Sequence, residues 1–188
     1  MAEFAVEGVL GTNILQDARA PGLWVTQAGG ATTLLVESQG GQSLASSVGG
    51  PFTLTTAEGR TLTDKDLRGA PFLVFFGFTH CPDICPTKLF EISEVLRAAG
   101  PKGETLKALF VTVDPERDTA ETMKSYLGSF DPRIVGLTGD RAAVDATIKA
   151  YRAYARKVPL KDGDYTMDHT ALVYLMDKNG GFVGAFNI

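Results

Sequence analysis

One uninterrupted apolar run, residues 72–78 (FLVFFGF), constrains the fold of this 188-residue chain more than any other feature. A run of strand length without polar alternation is typical of a central β-strand that is covered on both faces. Apolar side chains then recur at helical spacing in residues 89–96, and Gly100 and Pro101 end that periodicity. The sequence therefore predicts a buried strand, a short turn and a helix in direct succession.

The chain from residue 51 onwards continues this alternation of strand and helix patterns. Hairpin patterns occur at the two ends of this region, at residues 52–63 and 170–186. Between them we predict strands at 72–78, 106–113 and 134–137, and helices from Pro82 or Pro86 to Ala99, from 119 to 130 and from 140 to 154. This order predicts an α/β fold in which a mixed sheet is flanked by helices.

Residues 1–48 differ in composition from the remainder of the chain, because Gly, Ala, Ser and Thr dominate their second half. Two β-prone runs on either side of Ala28-Gly29-Gly30 predict a hairpin. A Ser-rich stretch between glycine pairs, at residues 40–50, is typical of a linker. We therefore predict an N-terminal extension, residues 1–48, that is unassigned beyond this hairpin and linker, followed by one domain, residues 49–188.

Composition and charge indicate the class of protein and exclude some kinds of partner. The chain is 44% hydrophobic and 21% charged, and a domain of this size buries enough surface to fold without disulfide staples. The net charge is −4 and there is no basic run, so we expect no nucleic-acid partner. A run of about 18 to 20 apolar residues and a signal-peptide pattern are both lacking, so we expect no membrane span within this sequence.

The two cysteines, Cys81 and Cys85, open the predicted helix. Their spacing places both sulfurs on one helical face, one turn apart, where both can contact the same ligand or substrate. The positive end of the helix stabilises a thiolate, so Cys81, which lies nearest to that end, should be the more acidic. Thiolates bind soft metals and also exchange with disulfides, and the spacing alone favours neither use. Two buried inert cysteines are the alternative.

The two histidines differ in their suitability as ligands. His80 immediately precedes Cys81, so coordination of one metal by both neighbours would be strained, which disfavours a four-ligand zinc site. His169 lies in a predicted loop just before the last central strand run, and ligands gather at sheet edges where strands end and helices begin. His169 is therefore a candidate third ligand, with a solvent-facing or core histidine as the alternative. Asp168 is a candidate hydrogen-bond acceptor that orients the neighbourhood of His169. A charged residue that only keeps the loop solvated is nearly as good an explanation.

Residues 114–118 (DPERD) connect the strand run at 106–113 to the second predicted helix. Asp118 or Thr119 is suited to cap that helix. A structural interpretation is a capped loop with charge pairs. A functional interpretation is a rim around the cysteine site or a surface for a partner.

Three motifs, in this order, resemble those of the Sco/SenC family of copper proteins. They are residues 77–86 (GFTHCPDICP), 113–119 (VDPERDT) and 168–175 (DHTALVYL). The resemblance extends from about residue 49 to residue 188 and includes FDPR and GLTG segments between the second and third motifs. Residues 1–48 lie outside it.

The resemblance implies a thioredoxin-like domain that binds copper, as Cu(I) and also as Cu(II), through Cys81, Cys85 and His169. It implies a membrane-tethered protein that faces the bacterial periplasm or the mitochondrial intermembrane space. The implied partner is the copper-receiving subunit of cytochrome c oxidase, whose dinuclear copper centre such proteins help to assemble. Other copper chaperones and thioredoxin-like reductants are further implied partners.

The sequence departs from the family pattern at both ends. The membrane anchor that normally precedes the domain is absent from this sequence. The final amphipathic helix that normally covers one face of the sheet is also absent after Asn187 and Ile188. An uncovered face would expose apolar surface, so we expect part of residues 1–48 to take over that packing role.

Two functions follow from these observations. The first is a copper metallochaperone, in which Cys81, Cys85 and His169 form a soft site from which Cu(I) transfers by ligand exchange. The second is a thiol-disulfide oxidoreductase that reduces the copper-ligand cysteines of the oxidase, with Cys81 attacking and Cys85 resolving. Enzymatic activity is therefore open at this point. A peroxidase is disfavoured by the second cysteine and the distal histidine.

Overall fold

The computed structural model describes the backbone of residues 2–6, 23–28, 31–36, 48–161 and 163–188, and the side chains of 48–101, 103–161 and 163–188. The N-terminal part contains strands β1 (Ala2–Val6), β2 (Leu23–Ala28) and β3 (Ala31–Val36), paired antiparallel in the order β1-β3-β2. Strands β2 and β3 pair antiparallel, from Leu23 with Val36 to Ala28 with Ala31. The predicted linker up to residue 47 and the side chains of the extension, with any packing role, lie outside the described residues.

Seven strands of the domain form one mixed sheet. Nine strands lie in the described part of the domain, and two of them, β9 and β10, are outside this sheet. In chain order the nine are β4 (Thr53–Thr56), β5 (Thr61–Thr63), β6 (Phe72–Gly77), β7 (Lys107–Thr112), β8 (Ile134–Thr138), β9 (Ala155–Pro159), β10 (Tyr165–His169), β11 (Val173–Met176) and β12 (Phe182–Phe186). The order in the sheet is β12-β11-β6-β7-β8-β4-β5. Strands β6, β7 and β8 run parallel at the centre, and an antiparallel hairpin adjoins them on each side. The predicted mixed sheet is confirmed.

Strand β6 is the buried strand that the apolar run predicts. All six of its residues are buried, and Phe75 stacks on Phe110 of β7 with ring centroids 5.9 Å apart. Aromatic and β-branched side chains suit a pleated surface that is covered on both faces. Because β6 is held between β7 and β11, its C-terminal end fixes the start of the turn that carries Cys81.

In the part of the chain that the structure describes, three α-helices flank the sheet: α1 (Ile84–Ala98), α2 (Ala120–Leu127) and α3 (Arg141–Ala150). Helix α1 begins between the two predicted starting prolines. The side chains of Thr119 and Asp140 cap α2 and α3 by accepting hydrogen bonds from backbone N–H groups. Helices α2 and α3 end before the predicted residues 130 and 154. Past the end of α3, Arg152 adopts a left-handed φ of 51°, which directs the chain into β9.

The sequence does not predict the antiparallel ribbon that β9 and β10 form. Strand β9 (ARKVP) is polar and no residue in it is fully buried, so it lacks the apolar alternation by which strands are recognised. The ribbon is a sheet of its own, apart from the seven-stranded sheet. His169 is the last residue of β10, so it lies at a strand end rather than in the predicted loop.

Candidate metal centre

The turn between β6 and α1 positions both cysteines. The backbone N–H of Cys81 donates to the carbonyl of Phe78 at 3.3 Å, which closes the turn. Cys85 lies in the first turn of α1, and its backbone N–H donates to the Cys81 sulfur at 3.4 Å. Both are free thiols; Cys81 is 9% exposed and Cys85 is 0% exposed. Cys81 is thus the more accessible of the two.

Gly77, the last residue of β6, provides the space that the Cys85 thiol occupies. A methyl group in place of its hydrogen would lie 2.9 Å from the Cys85 sulfur and 2.6 Å from the ring of Phe110. Both distances are shorter than van der Waals contact, so a larger residue would displace the thiol or the ring. The sequence pattern identifies Gly77 only as part of an apolar strand, because this requirement arises from a tertiary contact.

His169 approaches the cysteines from the end of β10. Its Nδ1 lies 3.1 Å from the carbonyl oxygen of Thr170. A carbonyl oxygen only accepts hydrogen bonds, so Nδ1 carries the proton in this contact and Nε2 remains the potential ligand atom. Nε2 lies 3.6 Å from the Cys85 sulfur. The rings of Phe75 and Phe78 meet the imidazole edge-on, at centroid distances of 6.3 and 5.7 Å.

The ligand atoms of Cys81, Cys85 and His169 all lie within 4.8 Å of one another. His80 lies outside this group, with 51% of its side chain exposed. Asp168 is also exposed, and the acceptor for the His169 imidazole is a backbone carbonyl instead. Two sulfurs and one imidazole nitrogen form a soft donor set of the kind that binds Cu(I), and are one ligand short of a structural zinc site.

The pKa values of the two cysteines are shifted in opposite directions. A hydrogen bond from the Cys85 side chain is the largest cause that lowers the pKa of Cys81 to about 4, and backbone N–H groups at the helix start add to it. The same hydrogen bond and burial raise the pKa of Cys85 far above its ordinary value. At neutral pH Cys81 is therefore a thiolate and Cys85 a thiol. Cys81 is the more acidic, as expected, but the neighbouring thiol contributes more than the helix N-terminus does.

Asp118 holds the turn that carries Cys81. Its carboxylate is fully buried and accepts hydrogen bonds from the backbone N–H of Thr79 at 3.1 Å and from the hydroxyls of Thr79 and Thr112, both at 2.6 Å. Burial raises the pKa of Asp118. Thr119, rather than Asp118, caps α2. The sequence pattern misses the role of Asp118 because Thr79 lies 39 residues away along the chain.

Comparison with known proteins places the sequence among characterised relatives. Residues 40–188 match the family model described as SCO1/SenC. The "Protein SCO1 homolog, mitochondrial" of Mus musculus is 45% identical over 142 residues, which are 74% of this chain and 50% of the mouse protein. The "SCO2-like protein RP587" of Rickettsia prowazekii is 40% identical over 141 residues, which are 74% of this chain and 69% of that protein. The chain spans about half the length of its mammalian relatives.

Solved structures resemble the fold as well as the sequence. Bradyrhizobium japonicum ScoI with copper bound has a TM-score of 0.72 and 63% identity, covering 74% of this chain and 89% of that chain. Yeast Sco1 with copper bound has a TM-score of 0.69 and 42% identity, covering 75% and 80% of the two chains. These neighbours confirm the thioredoxin-like fold. Within the described residues, no helix has the length and apolar character needed to cross a membrane. The chain belongs to the SCO1/SenC family.

Proposed function

We propose that this chain is a copper metallochaperone that binds one copper ion through Cys81, Cys85 and His169. The observation that carries the proposal is the convergence of two sulfurs and one imidazole nitrogen within 4.8 Å. Two relatives of similar fold are described with copper bound, which supports the same choice of metal. The family resemblance supports the copper-receiving subunit of cytochrome c oxidase as the recipient.

The protonation states of the thiols define how Cu(I) enters this site. The Cys81 thiolate is ready to bind a soft cation at neutral pH, whereas Cys85 must first lose its proton. Binding of Cu(I) therefore releases one proton, and the affinity for copper rises with pH. His169 contributes a neutral nitrogen, Nε2, while the hydrogen bond from Nδ1 holds the ring in place.

Release of copper proceeds by ligand exchange. A low-coordinate Cu(I) ion accepts a sulfur from the recipient as one sulfur of this chain leaves, so copper is never free. Cys81 is more exposed than Cys85, so the recipient approaches on the Cys81 side. Cys85, fully buried against Gly77, is the ligand that leaves last.

Anaerobic titration of the reduced protein with Cu(I), in competition with a chelator, tests the site. We expect one copper per chain for the wild type and for the control variant His80→Ala. Cys81→Ala and Cys85→Ala should lose tight binding, and His169→Ala should bind more weakly. If Cys81→Ala and His169→Ala both kept the stoichiometry and affinity of the wild type, the site would be assigned wrongly.

A second candidate function is a thiol-disulfide oxidoreductase, and the unequal acidity of the thiols favours it. The Cys81 thiolate would attack a disulfide of the client, forming a mixed disulfide and releasing one client thiolate. Cys85, after losing its proton, would then attack the Cys81 sulfur. This step releases the second client thiolate and leaves a Cys81–Cys85 disulfide, so the client gains the two electrons that the cysteine pair loses.

The behaviour of His169→Ala separates the two functions. A reductase needs the cysteine pair but not the imidazole, so that variant should still reduce a disulfide peptide of the oxidase copper site at the wild-type rate. A chaperone needs the imidazole for copper, so the same variant should transfer less copper to that peptide. We expect copper transfer by His169→Ala to fall below that of the wild type, as copper delivery requires. Copper transfer equal to that of the wild type, together with retained disulfide reduction, would favour the reductase instead.

We further propose that the protein acts in the bacterial periplasm or the mitochondrial intermembrane space and is tethered to the membrane. The mitochondrial names of the mouse and yeast relatives support a location next to the oxidase. Other copper chaperones and thioredoxin-like reductants are the proposed donors of copper and electrons. Fractionation of cells that carry the tagged full-length protein tests this location, and recovery in the cytosol would contradict it.

A further inference from the structure

His169 belongs to a different structural unit from the two cysteines. Cys81 and Cys85 lie at the junction of β6 and α1, inside the main domain core. His169 ends the ribbon of β9 and β10, which is a two-stranded sheet apart from the seven-stranded one. The position of the imidazole therefore depends on the side-chain contacts that attach the ribbon to the domain.

Tyr165, at the start of β10, makes several of these contacts. Its hydroxyl donates to Oδ1 of Asp114 at 3.0 Å. Its ring centroid lies 3.8 Å from the guanidinium carbon of Arg117 and 3.9 Å from the ammonium of Lys157, both favourable cation–π distances. Arg117 Nη1 also donates to the backbone carbonyl of Tyr165 at 3.0 Å. We call the contacts between Arg117 and Tyr165 the clasp.

The clasp is fixed to the same loop that holds the cysteine turn. Asp114 is fully buried, accepts a hydrogen bond from Nε of Arg117 at 2.5 Å, and through its backbone N–H donates to the Thr112 hydroxyl at 2.9 Å. The Thr112 hydroxyl in turn donates to Asp118, the residue that holds the turn before Cys81. The loop of residues 114–118 is thus attached to both halves of the candidate metal centre.

Strand geometry connects the clasp to the imidazole. Alternate residues of a strand share a face, so Tyr165, Met167 and His169 lie on the same side of β10. Met167, between the other two, is only 7% exposed and packs in the core. If β10 shifted at Tyr165, Met167 and His169 on the same face would therefore shift with it.

We propose that Arg117 and Tyr165 are positioning residues that hold His169 at the distance from the cysteines needed for copper. The inference rests on the proposed copper function. The clasp restricts the ribbon before the metal arrives, so that the imidazole does not have to be ordered during binding. The clasp also gives a role to further residues of the sequence motif at 113–119. The cysteine site alone explains only Asp118 of that motif.

Copper affinity of single and double variants tests the clasp. Tyr165→Leu removes the ring and the hydroxyl and should weaken copper binding roughly 10- to 100-fold, the range measured for residues that orient metal ligands. Tyr165→Phe keeps the ring contacts and should have a smaller effect, and Arg117→Lys an intermediate one. Arg156→Ala is the matched control, because Arg156 lies on the exposed side of the same ribbon, and should bind as the wild type does.

A double-variant cycle distinguishes positioning from general destabilisation. If Tyr165 acts through His169, Tyr165→Leu should have no further effect on copper affinity in a His169→Ala background. Equal losses in the two backgrounds, or wild-type affinity in Tyr165→Leu, would overturn the inference. If Tyr165→Leu does not fold, Tyr165→Phe and Arg117→Lys carry the same cycle.

Failure of the inference is distinguishable from failure of the proposed function. Wild-type protein that does not bind copper, or that binds it independently of His169, would refute the copper function. Binding that depends on His169 but is insensitive to Tyr165 and Arg117 would refute only the clasp. The melting temperature of each copper-free variant, measured alongside, shows that the affinities refer to folded protein.

Discussion

Cys81 and Cys85 lie one helical turn apart and yet are held in different protonation states. The thiolate is the reactive form of cysteine, so alkylation of Cys81 by iodoacetamide should be fast at neutral pH and decline only as the pH falls through about 4. An ordinary cysteine would show its midpoint near pH ~8.5. Mass spectrometry of the labelled peptide measures the rate for each cysteine, and Cys85 should remain unlabelled.

Substitution of the neighbouring thiol provides the control for this acidity. Cys85→Ala removes the hydrogen bond that is the largest cause of the lowered pKa, so the alkylation midpoint of Cys81 should move to higher pH. A midpoint near pH ~8.5 in the wild type, or no change in the variant, would contradict the assignment of thiolate and thiol.

Gly77 is a second residue whose substitution should affect the site directly. Gly77→Ala places a methyl group within 2.9 Å of the Cys85 sulfur and 2.6 Å of Phe110, and overpacking of this kind costs about 1–3 kcal/mol of stability. Because the thiol is displaced, copper affinity should fall as well. Gly128→Ala is the control, since its added methyl group would meet ordinary contacts of 3.4 Å or more. Chemical denaturation and copper titration of both variants measure the difference.

The candidate ligand residues could be proposed from the sequence, and the residues that support them could not. Cys81 and Cys85 are recognised by their spacing and His169 by its motif, because chemically unusual residues stand out in a sequence. Gly77 and Asp118 are common residue types whose function depends on which distant atoms they meet. Such contacts become visible only when the strands are placed in register.

Among the elements, the junction of β6 and α1 depends on a buried carboxylate. Asp118→Ala would leave the backbone N–H of Thr79 and the hydroxyls of Thr79 and Thr112 without their acceptor. We expect a loss of about 1–3 kcal/mol in the free energy of unfolding, the usual cost of leaving buried donors unsatisfied. Urea denaturation measures it, with the exposed Asp145→Ala as control. Equal stabilities of the two variants would contradict this role.

The elements that the sequence predicts well are those with a strong apolar pattern. Strand β6 is marked by a continuous apolar run and helix α1 by apolar residues at helical spacing, so the existence and order of both follow from the sequence pattern. The ribbon of β9 and β10 has no such pattern and is stabilised by Tyr165, Arg117 and Lys157 through polar and cation–π contacts. The sequence therefore singles out His169 as a candidate ligand, and the structure brings it to the two cysteines from the end of a strand rather than from the predicted loop.

At the scale of the whole molecule, copper binding should be coupled to stability. A ligand that binds only the folded state stabilises it by about 2.7 kcal/mol when its free concentration is 100 times Kd. Reduced wild-type protein should therefore melt at a higher temperature with Cu(I) than without it, and His169→Ala should show a smaller increase under the same conditions. Anaerobic differential scanning calorimetry measures both shifts. Equal shifts would indicate that the metal does not use the imidazole.

X-ray absorption at the copper edge reports which atoms bind the metal, and so whether Cys81, Cys85 and His169 hold copper together. For the reduced wild-type protein loaded with one equivalent of Cu(I), we predict two sulfur ligands and one imidazole nitrogen. The nitrogen should disappear in His169→Ala while both sulfurs remain. Copper without sulfur ligands, or an identical spectrum in wild type and His169→Ala, would show that copper does not bind through these three residues.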